Sequence, residues 1–107
     1  MEIIMKQDLE LISKETKEIH RLVKVFIQKR KLQTGGCKTF YLPSEWQARK
    51  EELCQDAVLI LVYDGSEVKR IANGSDPMSN TFRKYLDKHG YYLEQGLHWY
   101  CGIYKKD

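Results

Sequence analysis

Residues 57–63 read AVLILVY and run straight into Asp64-Gly65. Seven apolar side chains in a row cannot alternate between core and water, so the stretch predicts a β-strand covered on both faces. It is the longest uninterrupted apolar run in the 107 residues, far below the roughly 20 that a membrane-spanning helix needs, so no membrane is expected as a partner. Asp64-Gly65 is the strongest hairpin signal in the chain and predicts a return strand over residues 67–72.

Upstream of this strand, residues 38–42 (KTFYL) are aromatic and β-branched and predict another strand, ended by Pro43. Ser44 and Gln47 have capping-box spacing, which predicts a helix over about 45–55. Further back, Met5, Leu9, Ile12, Thr16, Ile19, Val23, Phe26 and Arg30 follow one another at alternating steps of four and three, a heptad stripe with no Pro or Gly among them. One long helix over about 6–33 is expected, stopped by Gly35 and Gly36. Its stripe either lies on the domain's own sheet or pairs with a second copy, with Leu9, Ile12, Ile19, Val23 and Phe26 as the self-association residues. Downstream, Asp76 or Ser79 can cap a helix that carries Phe82, Tyr85, Leu86 and His89 on one face and stops at Gly90. Residues 91–105 predict two strands turning near Gly96.

The expected class is α+β, in the order α-β-α-β-β-α-β-β, with a mostly antiparallel sheet. That order echoes the split βαβ, ferredoxin-like arrangement, except that it would put the most apolar strand at a sheet edge. An antiparallel sheet with residues 57–63 in its interior is the alternative. The chain reads as a single domain, residues 1–34 forming the long helix and 35–107 the compact body. Three widely spaced cysteines, Cys37, Cys54 and Cys101, suit a reducing compartment better than a disulfide framework. Residues 1–5 hold no apolar signal core, so a cytoplasmic chain without a leader is expected.

Net charge is only +3, but it is segregated. Residues 1–19 carry three basic and five acidic groups, whereas residues 20–33 carry five basic groups (Arg21, Lys24, Lys29, Arg30, Lys31) and no acidic one. This order complements a helix dipole and also offers Lys24, Lys29, Arg30 and Lys31 to a phosphate backbone or an acidic surface. Aromatics gather at the other end. In a strand over 97–105, alternation places Leu97, Trp99, Cys101 and Ile103 in the core and His98, Tyr100, Gly102 and Tyr104 on the opposite face. With Lys105 beside them, His98, Tyr100 and Tyr104 would make a stacking platform for bases or a partner's side chains, unless the long helix covers that face.

Catalytic motifs are sparse. His98 and Cys101 lie three apart on a predicted strand and so point to opposite faces, which argues against a shared zinc; no metal or other cofactor is expected. Cys37, after two glycines, has no positioned histidine to activate it, and TGGCKT lacks the phosphate-loop spacing and the helix that must follow. Asp64, Glu67 and Lys69, with Glu51 or Glu52, resemble the D…(D/E)xK arrangement of restriction-type nucleases, in which two carboxylates hold a divalent metal and a lysine helps activate water. Here the first Asp is the turn residue itself. A tight turn and a solvated strand face explain the same residues. The expected function is therefore a non-catalytic macromolecule-binding protein, either a protein-binding adaptor or inhibitor, or a nucleic-acid module. For the latter, the aromatic face favours RNA or single-stranded DNA over duplex. A metal-dependent nuclease through Asp64, Glu67 and Lys69 is the alternative.

Overall fold

The computed structural model describes residues 14–35, 38–72 and 74–106. Its elements are α1 (Lys14–Lys29), β1 (Phe40–Tyr41), α2 (Pro43–Arg49), β2 (Leu59–Val62), a 3-10 helix (Glu67–Ile71), α3 (Pro77–Lys88), β3 (Tyr91–Gln95) and β4 (Tyr100–Lys105). The class is α+β, and the four strands form one antiparallel sheet in the order β1-β2-β4-β3. Leu9 and Ile12, with residues 6–13 of the expected long helix, lie outside the described residues, as does Cys37. Among the described residues no helix is long and apolar enough to cross a membrane.

All four residues of β2 are buried because both sheet faces are covered. Leu59 and Leu61 enter a large cluster with α1, α3 and the 3-10 helix, while Ile60 and Val62 enter a smaller one with Trp46, Cys54, Ala57 and Tyr100. The strand expected to be covered on both faces is so, and its place between β1 and β4 is that of the alternative arrangement, with residues 57–63 in the sheet interior.

Helix α1 lays its apolar stripe on the sheet. Ile19, Val23 and Phe26 are buried with Leu22 and Ile27, and Thr16, the polar member of the stripe, donates its Oγ1 hydrogen to the Val58 carbonyl (2.9 Å). Phe26 meets Phe82 edge-on at 4.9 Å, and the Tyr85 hydroxyl ties α3 to the Leu22 carbonyl at 2.8 Å. Ile19, Val23 and Phe26 are thus consumed in the chain's own core and are not available as a seam between two copies. The helix ends at Lys29, short of 33, because Lys31 adopts a left-handed conformation (φ 54°).

Three other expectations are corrected. The second helix is seven residues long and starts from Leu42: Pro43 fills the first turn, where a missing N–H costs nothing, and Glu45 Oε1 accepts from the Leu42 amide (2.9 Å), so Ser44 and Gln47 form no capping box. Left-handed Lys50 (φ 59°) ends it well before residue 55.

The return strand over 67–72 is instead a 3-10 helix. Ser66 Oγ accepts from Val68 N (3.3 Å), and Val68 and Ile71, three apart, are both fully buried. A strand would have pointed those two to opposite faces, whereas three residues per turn put both into the core. This helix stands where the ferredoxin-like order needs a strand.

Leu97, expected in the core, is 46% exposed, because β4 begins only at Tyr100 and the alternation does not extend back to it. Helix α3 follows its expected pattern, with Asp76 accepting from Met78 N (2.9 Å) and Gly90 in the left-handed region (φ 86°) just beyond the end.

Candidate functional site

The inner stripe of α1 determines what is left outside. Lys14, Lys17, Arg21, Lys24 and Gln28 follow at steps of three, four, three and four, two residues out of register with the buried stripe, and all five are exposed. Such spacing keeps them on one face. Four cations therefore stand in a row about 15 Å long, at about 1.5 Å of rise per residue. The carboxylates of the same helix turn away: Glu18 Oε1 accepts from the Tyr91 hydroxyl at 3.2 Å. Burial, and then the nearby Glu18 charge, push Tyr91 up to about 12. Among the described residues, no ion pair is made by Lys14, Lys17, Arg21 or Lys24.

Two shallow depressions border this row. One of 330 Å³ is lined by Lys17, His20, Arg21, Lys24, Val25 and Gln28. The other, of 390 Å³, shares Lys17 and His20 and runs to Lys38, Phe40 and Glu45 at the β1 edge. His20 packs edge-on against Phe40 (4.5 Å). Burial, and then Lys24, hold its imidazole below the usual histidine value, so it stands neutral among the cations. Lys38 is paired with Glu45 (2.6 Å).

The residues that the sequence singled out do not converge. Lys24 belongs to the row. Lys29 lies around the helix from it; Arg30 follows the helix, its guanidinium 4.2 Å from the Phe26 ring centre; Lys31 is past the end. Tyr100 is fully buried, its ring 4.7 Å from that of Trp46, so α2 and not the long helix covers the expected platform. Tyr104, half-buried, stacks on Tyr92 at 5.4 Å. Lys105 sits on the opposite sheet face with its ammonium over the Tyr91 ring (5.3 Å). His98 is exposed, in a separate 530 Å³ depression with Lys69, Tyr63 and Gln95. Among the described residues these side chains form no continuous aromatic platform.

The Asp64, Glu67 and Lys69 geometry needed a strand. On a 3-10 helix, residues two apart are separated by about 120° around the axis, so Glu67 and Lys69 share no face. Glu67 Oε1 instead accepts from the Gln33 amide at 2.8 Å, fixing the turn after α1. Among the described residues, no three His, Cys, Asp or Glu side chains are grouped to hold a metal ion.

Dividing the charges at residue 20 in the sequence hid Lys14 and Lys17, because acidic Glu15 and Glu18 stand beside them along the chain. The register that lines up Lys14, Lys17, Arg21 and Lys24 was local, but Glu18 stands four residues from Lys14 and three from Arg21, and it is the tertiary contact with the Tyr91 hydroxyl that engages its carboxylate. No protein-family model, no curated protein and no solved structure matches this chain.

Proposed function

We propose that this chain is a non-catalytic macromolecule-binding protein that grips the phosphate backbone of a nucleic acid with the outer face of α1. The observation that carries the reading is the row Lys14, Lys17, Arg21 and Lys24, unopposed by any carboxylate pair among the described residues. Like charges three and four apart on a helix cost a few tenths of a kcal/mol per pair, a repulsion that an anionic polymer relieves. With Tyr100 buried, base stacking has no platform, so the contact we propose is electrostatic and indifferent to sequence. The preference for single strands loses its support with that platform. A reducing compartment, the cytoplasm, is part of the same proposal, supported by Cys54 and Cys101 being buried as free thiols.

The test is affinity for a short single-stranded and a short duplex oligonucleotide across a salt series. Four phosphate contacts predict a slope of log affinity against log salt of about −3 for single strands and slightly steeper for duplex. Lys17→Ala with Arg21→Ala and Lys24→Ala leaves Lys14 alone in the row and should flatten the single-strand slope by about two units. Affinity weaker than about 10⁻⁴ M at physiological salt, or a slope unchanged in the triple variant, overturns the reading. Retention of an acidic polypeptide in its place would identify a protein partner.

A further inference from the structure

On the sheet face away from α1, the last residue of α2 inserts its side chain among aromatic rings. The Arg49 guanidinium carbon stands 5.2 Å from the ring centre of Tyr41, 5.3 Å from that of Trp46 and 5.8 Å from that of Trp99. The rings are walls rather than a stack: Tyr41 is tilted 65° to Trp46, and Trp46 is tilted 56° to Trp99. A carboxylate supplies the remaining side, Glu51 Oε2 accepting from Arg49 Nε (3.3 Å) and Nη2 (3.1 Å), while Nη1 donates to the Tyr41 hydroxyl (3.3 Å).

Three ring faces and one carboxylate around a single positive charge are the chemistry that holds organic cations, because each ring presents its negative face to the charge. The walls are fixed independently of the occupant. Trp46 is fully buried, held by its indole N–H donating to the Leu53 carbonyl (2.9 Å) and by packing on Tyr100. Tyr41 belongs to β1, and Trp99 directly precedes β4. The occupant is less secure: Arg49 ends its helix, and its side chain remains 41% exposed. We propose that Tyr41, Trp46, Trp99 and Glu51 form a binding box for a quaternary or methylated ammonium group, which Arg49 fills from within until the ligand displaces it. A methylated ammonium suits such a box better than a bare one, since it is weakly hydrated and spreads its charge over methyl groups that touch the rings. The site lies on the opposite layer from the α1 row and is independent of the phosphate reading.

Trp46 and Trp99 are the only two tryptophans in the chain, so intrinsic fluorescence reports the box directly. The 107-residue chain would be titrated at constant ionic strength with choline, with a short uncharged-flank peptide carrying one trimethyllysine, and with the same peptide carrying unmodified lysine. Arg49→Ala empties the box; Arg49→Gln empties it of charge while leaving an amide for Glu51 and Tyr41, which guards the fold. Circular dichroism identifies the folded variants. The expected result is a saturable tryptophan response to a quaternary probe in the Arg49 variants, about tenfold or more tighter than in wild type, and lost when Trp99→Ala is added. Choline binding alone points to a small-molecule ligand, and tighter binding of the peptide points to a methylated polypeptide. No saturable response in a folded Arg49 variant overturns the proposal. So does equal binding of unmodified lysine, equal affinity in wild type, or indifference to Trp99→Ala.

Discussion

Tyr100 lies against Trp46 with ring centres 4.7 Å apart, both residues fully buried, and its hydroxyl, near the Leu53 backbone, makes no well-formed hydrogen bond among the described residues. Burial pushes its pKa upward, so the phenol stays protonated. An unsatisfied buried hydroxyl costs roughly 1–3 kcal/mol. Tyr100→Phe is therefore expected to leave unfolding stability unchanged or raise it by about 1 kcal/mol, read from the urea midpoint. Oligonucleotide affinity should not change, and a loss of affinity would restore Tyr100 as a contact residue.

The same layer sets a second expectation. A Cβ added to Gly102 would stand 2.9 Å from both the Ala57 Cβ and the Cys54 Sγ, in a cluster held close to the sheet by Trp46. Gly102→Ala should cost about 1–3 kcal/mol through overpacking. Unfolding in urea checks this, and an unchanged midpoint would mean that the 54–57 segment yields easily.

Position around α1, rather than charge alone, should decide binding. Arg21→Ala is expected to lower the salt slope of oligonucleotide affinity by about one unit. Lys29→Ala removes the same charge from outside the row and should leave the slope nearly unchanged. Equal effects from the two variants would show a diffuse field in place of a facing row.

His20 gives opposite pH signatures for folding and for binding. Its folded-state pKa lies below the usual histidine value of about 6.5, through burial first and Lys24 second, so the unfolded chain takes up a proton more readily. Stability from this residue is full above about pH 6.5 and falls as the pH is lowered through the window beneath that value. Lys17, Lys24 and Lys38 all border the imidazole, with Glu45 the nearby acid. A bound phosphate backbone favours the protonated ring, so oligonucleotide affinity should rise through the same window with proton uptake. His20→Gln should flatten both curves, measured by urea unfolding and by binding calorimetry in two buffers of different ionisation heat.

What was legible in the sequence is what one element settles by itself. Residues 59–62 have no polar position to give to water, so that strand had to be covered on both faces, while its place inside the sheet was one of two arrangements left open. The step pattern through Ile19, Val23 and Phe26 required one buried helix face, and the complementary register through Lys14, Lys17, Arg21 and Lys24 was equally readable once the charges were sorted by face instead of by position along the chain. Other features depended on partners far away. Asp64-Gly65 permits a hairpin or a tight turn into a 3-10 helix; the burial of Val68 and Ile71 against α1 and α3 chose the latter. Alternation correctly set Tyr100 on the face opposite Cys101, yet whether that face met water depended on Trp46, more than 50 residues earlier. The box around Arg49 joins residues 41, 46, 51 and 99. Periodicity within a helix or strand says which way a side chain points. Only the packing of one element on another decides what it meets there.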